Sequence, residues 1–222
     1  MPGTDPVETP PTFESLPAYG RAAAGYDAWT EPFDLYRRGA VDLLPIKPGD
    51  VVLDVGCGTG RSFPWLVERV GSTGTVVGVD PAEAMLSLAE LRSTAHGWNN
   101  VVLIHSTVAH AVLPMVDHAL FCAVHDVLQS AASIRHVVEH VREGGTVAAA
   151  GGKWAPRWEV ALNACVVVVH APYVRSFSGF GRPWALLADR VPDLVVKEMA
   201  MGAGYLASGS VKGGRSRPAA GA

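Results

Sequence analysis

The 222-residue chain is 49% hydrophobic and 18% charged, with a formal net charge of −3 at pH 7. That length buries one substantial core, so a single domain is expected, spanning 13–211. Basic residues cluster only in the short stretch 212–217, which argues against a nucleic-acid substrate.

Residues 1–12 are rich in Pro and Thr and read as a disordered leader, with no secretory signal pattern. Helical patterns follow at 14–29 and 33–44, the second stopped by Pro45, and together they suggest an N-terminal cap over 13–45. Strand and helix then alternate. The spacing predicts strands at 51–55, 75–79, 101–105, 118–123 and 146–150, with helices at 62–70, from Asp80-Pro81 to 93, and at 130–142. Asp80 is read as the cap of its helix, and Gly144-Gly145 as the stop of the 130–142 helix. Such alternation requires an α/β fold with a mostly parallel sheet and helices on both faces. The stretch 158–169 is apolar on all sides and stays ambiguous between helix and strand. A short helix at 183–190 precedes strands at 194–199 and 204–207, which are close enough to be an antiparallel pair. The tail 212–222 reads as disordered.

Three cysteines without metal-type spacing fit a reduced, cytoplasmic chain, and no metal is expected. The longest apolar stretch, 160–171, is too short to span a bilayer. A monomer or homodimer is expected.

The chemistry concentrates at Val51–Gly60. An apolar β-branched run ends in Asp54, and Gly56, Gly58 and Gly60 follow at alternate positions. Glycines there let a ligand approach the backbone. A dinucleotide site uses Gly-x-Gly-x-x-Gly with a pyrophosphate at the helix N-terminus. Here the acid stands two residues before the first glycine, which suits a ligand carrying a cationic amino group.

The stretches 53–60, 77–86 and 141–147 give the chain a resemblance to the class I S-adenosylmethionine-dependent methyltransferases, whose fold is Rossmann-like. The resemblance implies S-adenosylmethionine as cofactor and S-adenosylhomocysteine as product. It implies that Gly56, Gly58 and Gly60 admit the methionine half, with Cys57 between them and Cys122 at the end of the fourth strand. Asp54 would orient the amino group and Asp80 would accept the two ribose hydroxyls. Met85, or nearby Pro81 and Ala82, would pack on the adenine, and Tyr26 matches the position of a closing N-terminal helix. After the third strand, Ser106-Thr107-Val108 stands where such families often carry Asp, so Thr107 or Ser106 would supply a hydroxyl to the adenine beside Val108.

Methyl transfer needs alignment, exclusion of water and, for a protonated acceptor, a base. His125 at the end of the fourth strand is the candidate base, and Asp126 can orient its ring or cap the next turn. The segment 151–182 reads as an inserted lid, with Lys153, Trp154, Tyr173 and Phe180 against the acceptor and Tyr19 joining from the N-terminus. The expected reaction places a methyl on an O or N atom of a small, largely hydrophobic molecule of natural-product, quinone-precursor or lipid type. The alternatives are a protein of this fold that binds the cofactor for another reaction or as a scaffold, and a nucleotide-dependent oxidoreductase, which the glycine spacing disfavours.

Overall fold

A computed structural model describes Asp27 and residues 30–212. The expected helix at 14–29, the leader and the tail after 212 lie outside the described residues, apart from Asp27.

A seven-stranded sheet organises the chain. Its strands are β1 (Val51–Val55), β2 (Thr75–Asp80), β3 (Val101–His105), β4 (Val116–Cys122), β5 (Val141–Gly152), β6 (Val195–Met199) and β7 (Gly204–Ser210). They lie in the order β3-β2-β1-β4-β5-β7-β6. β1 to β5 pair in parallel, whereas β7 runs antiparallel to both neighbours. The expected α/β class, with its C-terminal antiparallel pair, is therefore the observed one.

Seven helices connect or flank the strands among the described residues: α1 (Asp34–Asp42), α2 (Phe63–Val70), α3 (Glu83–Ala95), α4 (His125–Leu128), α5 (Ala131–His140), α6 (Val160–His170) and α7 (Ala185–Ala188). Side chains alternate across the sheet, so each strand feeds two cores. Leu53 and Val55 of β1, with Ala119 and Phe121 of β4, join one core with Ile134, Val137 and Leu187. Val52 and Leu120 point the other way, onto Ala40, Val41, Phe63 and Leu66. Strands covered on both faces must read as unbroken apolar runs, as β1 does.

Several boundaries differ from the sequence reading. α5 stops at His140, two residues early, and β5 begins at once. Val141 is buried there and pairs with Val116, so β-bridge formation overrides helical continuation. α3 begins at Glu83 with Ala82 as its N-cap, so Asp80 ends β2 and does not cap the helix. The ambiguous stretch resolves into α6, and the place beside β5 is taken by β7. None of the helices among the described residues is long and apolar enough to cross a membrane.

Candidate functional site

The carboxyl ends of β1, β2, β4 and β5 converge on one rim of the sheet, where α/β folds bind ligands. After β1 the chain turns through Gly56, Gly58 and Gly60, all at positive φ. A methyl on Gly56 would meet Val124 Cγ1 at 2.5 Å, so this position is closed by packing. At Gly58 nothing lies within 4 Å of the corresponding point, so the loop presents open backbone there. Asp80 ties the end of β2 to this loop. Its Oδ2 accepts the Gly58 N–H and its Oδ1 the Ala82 N–H, both at 2.9 Å. Burial pushes its carboxyl above the usual range, and these two hydrogen bonds pull it back.

Asp54, Cys57, Gly58 and Cys122 line a cleft of about 300 Å³ counting its mouth. Asp54 is buried there, and its Oδ2 has no partner among the described residues. Burial pushes its carboxyl up to about 7; Arg37 opposes this, Asp80 adds to it, and a hydrogen bond from Ser62 opposes it again. An orphaned acid facing open loop backbone fits the ammonium of an amino-acid ligand, and the set as a whole fits S-adenosylmethionine. Thr107 Oγ1 is engaged by His110 Nδ1 at 2.8 Å. Val108 and Met85 are buried, and Pro81 is half-buried, at the same end of the sheet.

Arg37 is a residue the sequence reading passed over. It lies on α1, donates to the Thr30 carbonyl and to Asp34, and reaches the Asp54 cleft. Its signal was its spacing, since Ala40, Val41 and Leu44 stand three, four and seven residues on and all are buried. Asp27 also meets the loop, accepting from Thr59 Oγ1 at 2.6 Å and pairing with Arg92.

A second cavity, of about 630 Å³ counting its mouth, opens beside this cleft, and Arg37 lines both. Its walls include Phe33, Val124, Val169 and Phe180, with His125, His170, Tyr173 and Tyr205 as polar groups. His125 begins α4 beyond a strained Ala123 at φ 57. Its Nε2 meets the Ser178 carbonyl at 2.9 Å, and its Nδ1 is buried without a partner among the described residues. Burial holds its pKa below the ordinary histidine value. Asp126 accepts the Arg175 N–H at 3.3 Å and so ties the segment after α6 to α4.

Of the expected acceptor residues, His125, Tyr173 and Phe180 come together in this cavity. Trp154 stands behind them, stacked on Phe177 at 5.1 Å and edge-on to Phe180 at 5.4 Å. Lys153 lies elsewhere. Its ammonium is spent on the Gly202 and Trp154 carbonyls and on Glu198, each at 2.9 Å, where it fastens β5 to the β6–β7 turn. Tyr19 and Tyr26 lie outside the described residues.

Asp54 makes a testable link to pH. Its folded-state pKa of about 7 exceeds the ordinary carboxyl value of 3.8, so between those values the folded chain holds a proton that the unfolded chain has lost. Ligand-free stability therefore falls as pH rises between those values. Asp54→Asn is expected to raise the melting temperature of the free chain by at least about 3 °C near pH 8, with the gain vanishing toward pH 4. An equal gain at both pH values would show that Asp54 carries no such burden.

Comparison with known proteins agrees with this geometry. Residues 52–145 match a family described as a methyltransferase domain. Nocamycin O-methyltransferase of Saccharothrix syringae is 40% identical over 84 residues, 37% of this chain and 30% of that protein. Demethylmenaquinone methyltransferase of Bacillus cereus is 32% identical over 117 residues, 50% of this chain and 48% of that one. The chain thus spans less than half the length of these two relatives. The structure of a methyltransferase from Aquifex aeolicus superposes with a TM-score of 0.61 at 19% identity, covering 85% of this chain and 98% of that one, a likeness of fold. The matched residues and the strand order both agree with the class I S-adenosylmethionine-dependent methyltransferases that the sequence resembles.

Proposed function

We propose that the protein transfers a methyl group from S-adenosylmethionine to an O or N atom of a small, largely hydrophobic molecule. The observation that carries this reading is the unpartnered, buried Asp54 oxygen on a glycine loop that shares Arg37 with an aromatic-walled cavity. Asp54 would hold the ammonium of the cofactor, Arg37 its carboxylate, and Asp80 its ribose hydroxyls through the lone pairs left free by Gly58 and Ala82. The bound cofactor supplies a methyl group on a cationic sulfur, already activated for displacement. The chain's part is then to align the nucleophile and exclude water. Phe33, Phe180 and Val124 do the excluding. His125 receives the acceptor's proton at Nδ1, since its Nε2 already donates to Ser178. The mainly apolar wall favours a small organic acceptor, in keeping with the nocamycin and demethylmenaquinone methyltransferases to which the chain is similar.

The test compares ligands. S-adenosylmethionine or S-adenosylhomocysteine is expected to raise the melting temperature, whereas NAD leaves it unchanged. Stabilisation by NAD alone would replace this reading with an oxidoreductase. Stabilisation by S-adenosylmethionine without methyl transfer to any screened acceptor would favour the scaffold alternative.

A further inference from the structure

Two imidazoles line the acceptor cavity, and the sequence singles out only His125. His170 closes α6, and its Nδ1 lies 2.9 Å from the Val166 carbonyl of its own helix. A carbonyl cannot donate, so that nitrogen carries the proton and Nε2 keeps a bare lone pair. Gly152, near the end of β5, makes room for it: a methyl there would fall 2.1 Å from His170 Nε2. Gly152 and His170 both line the cavity. His125 is in the matching state, with Nε2 donating to Ser178 and Nδ1 bare. Phe180 meets both rings edge-on, at 4.7 Å from His125 and 5.3 Å from His170. Burial keeps both histidines below their ordinary pKa, so both are neutral at neutral pH.

We infer that the acceptor is an aromatic carrying two hydroxyl groups, one received by His125 Nδ1 and the other by His170 Nε2, which makes His170 a specificity-determining residue. The inference rests on the methyltransferase reading above. Two lone pairs on an apolar wall reward O–H donors and repel the oxygens of a carboxylate or phosphate. The first hydroxyl gives its proton to His125 as its oxygen bonds the methyl carbon, and the carbon–sulfur bonding pair stays with sulfur. The second hydroxyl keeps its proton and fixes which oxygen reacts.

The test titrates the S-adenosylhomocysteine-loaded chain with tert-butylbenzene, 4-tert-butylphenol, 4-tert-butylcatechol and 5-tert-butylresorcinol. One of the two diols is expected to bind about tenfold tighter than the phenol, as one added hydrogen bond allows. His170→Phe keeps a flat ring and should bring that diol to the level of the phenol. His170→Gln restores an acceptor oxygen and should recover part of the preference, so the result does not depend on one variant folding. Equal binding of diols and phenol by the wild-type chain, equal losses for both in His170→Phe, or no binding of either diol would overturn the inference. Binding of S-adenosylhomocysteine itself is read in the same experiment. If it binds and no diol preference appears, only this inference fails; if it does not bind, the methyltransferase reading fails and takes the inference with it.

Discussion

Asp80→Ala is expected to weaken S-adenosylhomocysteine binding by at least about 100-fold, measured by calorimetry on the purified chain. Two losses combine. The ribose hydroxyls lose a charged acceptor, and hydrogen bonds to ionised groups contribute about 1.5–3 kcal/mol each. The Gly58 N–H, held by Asp80 Oδ2 at 2.9 Å, is released as well, so the loop gives up the shape that receives the methionine half. Asp80→Asn keeps one acceptor oxygen and should fall between the two. A dissociation constant within about threefold of wild type, in a variant that melts like the parent, would remove Asp80 from the site.

His125→Phe is expected to lower kcat by about 100-fold or more while leaving S-adenosylhomocysteine affinity within about twofold. Phenylalanine preserves the ring against Phe180 and deletes the Nδ1 lone pair, so the loss reports proton transfer and not packing. The wild-type pH profile supplies a second reading. Burial places the His125 pKa below the ordinary histidine value of 6.5, so activity should be level at neutral pH and fall only on the acid side. A variant with wild-type kcat and an unchanged acid limb would show that the acceptor needs no base from this residue.

The methyl-donor end of the site was far more legible in sequence than the acceptor end, for a physical reason. Val51–Val55, the glycine turn and Asp80 sit within two successive βα units, where local spacing dictates geometry. β1 and β3 accordingly run over the residues that periodicity picks out. The acceptor cavity is instead assembled from α1, α4, α6 and β5, brought together only by the tertiary fold. Nothing in the neighbourhood of Arg37 separates it from the exposed Arg38 except the buried stripe they do not share. His170 looked like the end of an apolar run, and only Gly152, some 18 residues earlier in sequence, explains its place. Lys153 misled for the opposite reason. A cation beside aromatics suggests an anchor, yet its ammonium serves the Trp154 carbonyl and the Gly202 carbonyl of the β6–β7 turn.

The position of β7 carries a consequence for how the chain acquires this architecture. β5 lies inside the finished sheet, but its second neighbour is the last strand, with Ala148 meeting Ser208 and Ala150 meeting Leu206. Until those distant residues arrive, Val147–Ala150 forms an apolar ribbon with one unpaired side, a template for association with other chains. Closing it requires contacts of long sequence separation, which slow folding. Emergence of β7 from the ribosome and the presence of holding chaperones should therefore govern yield more than native stability does, with aggregation the competing fate of incompletely made chains.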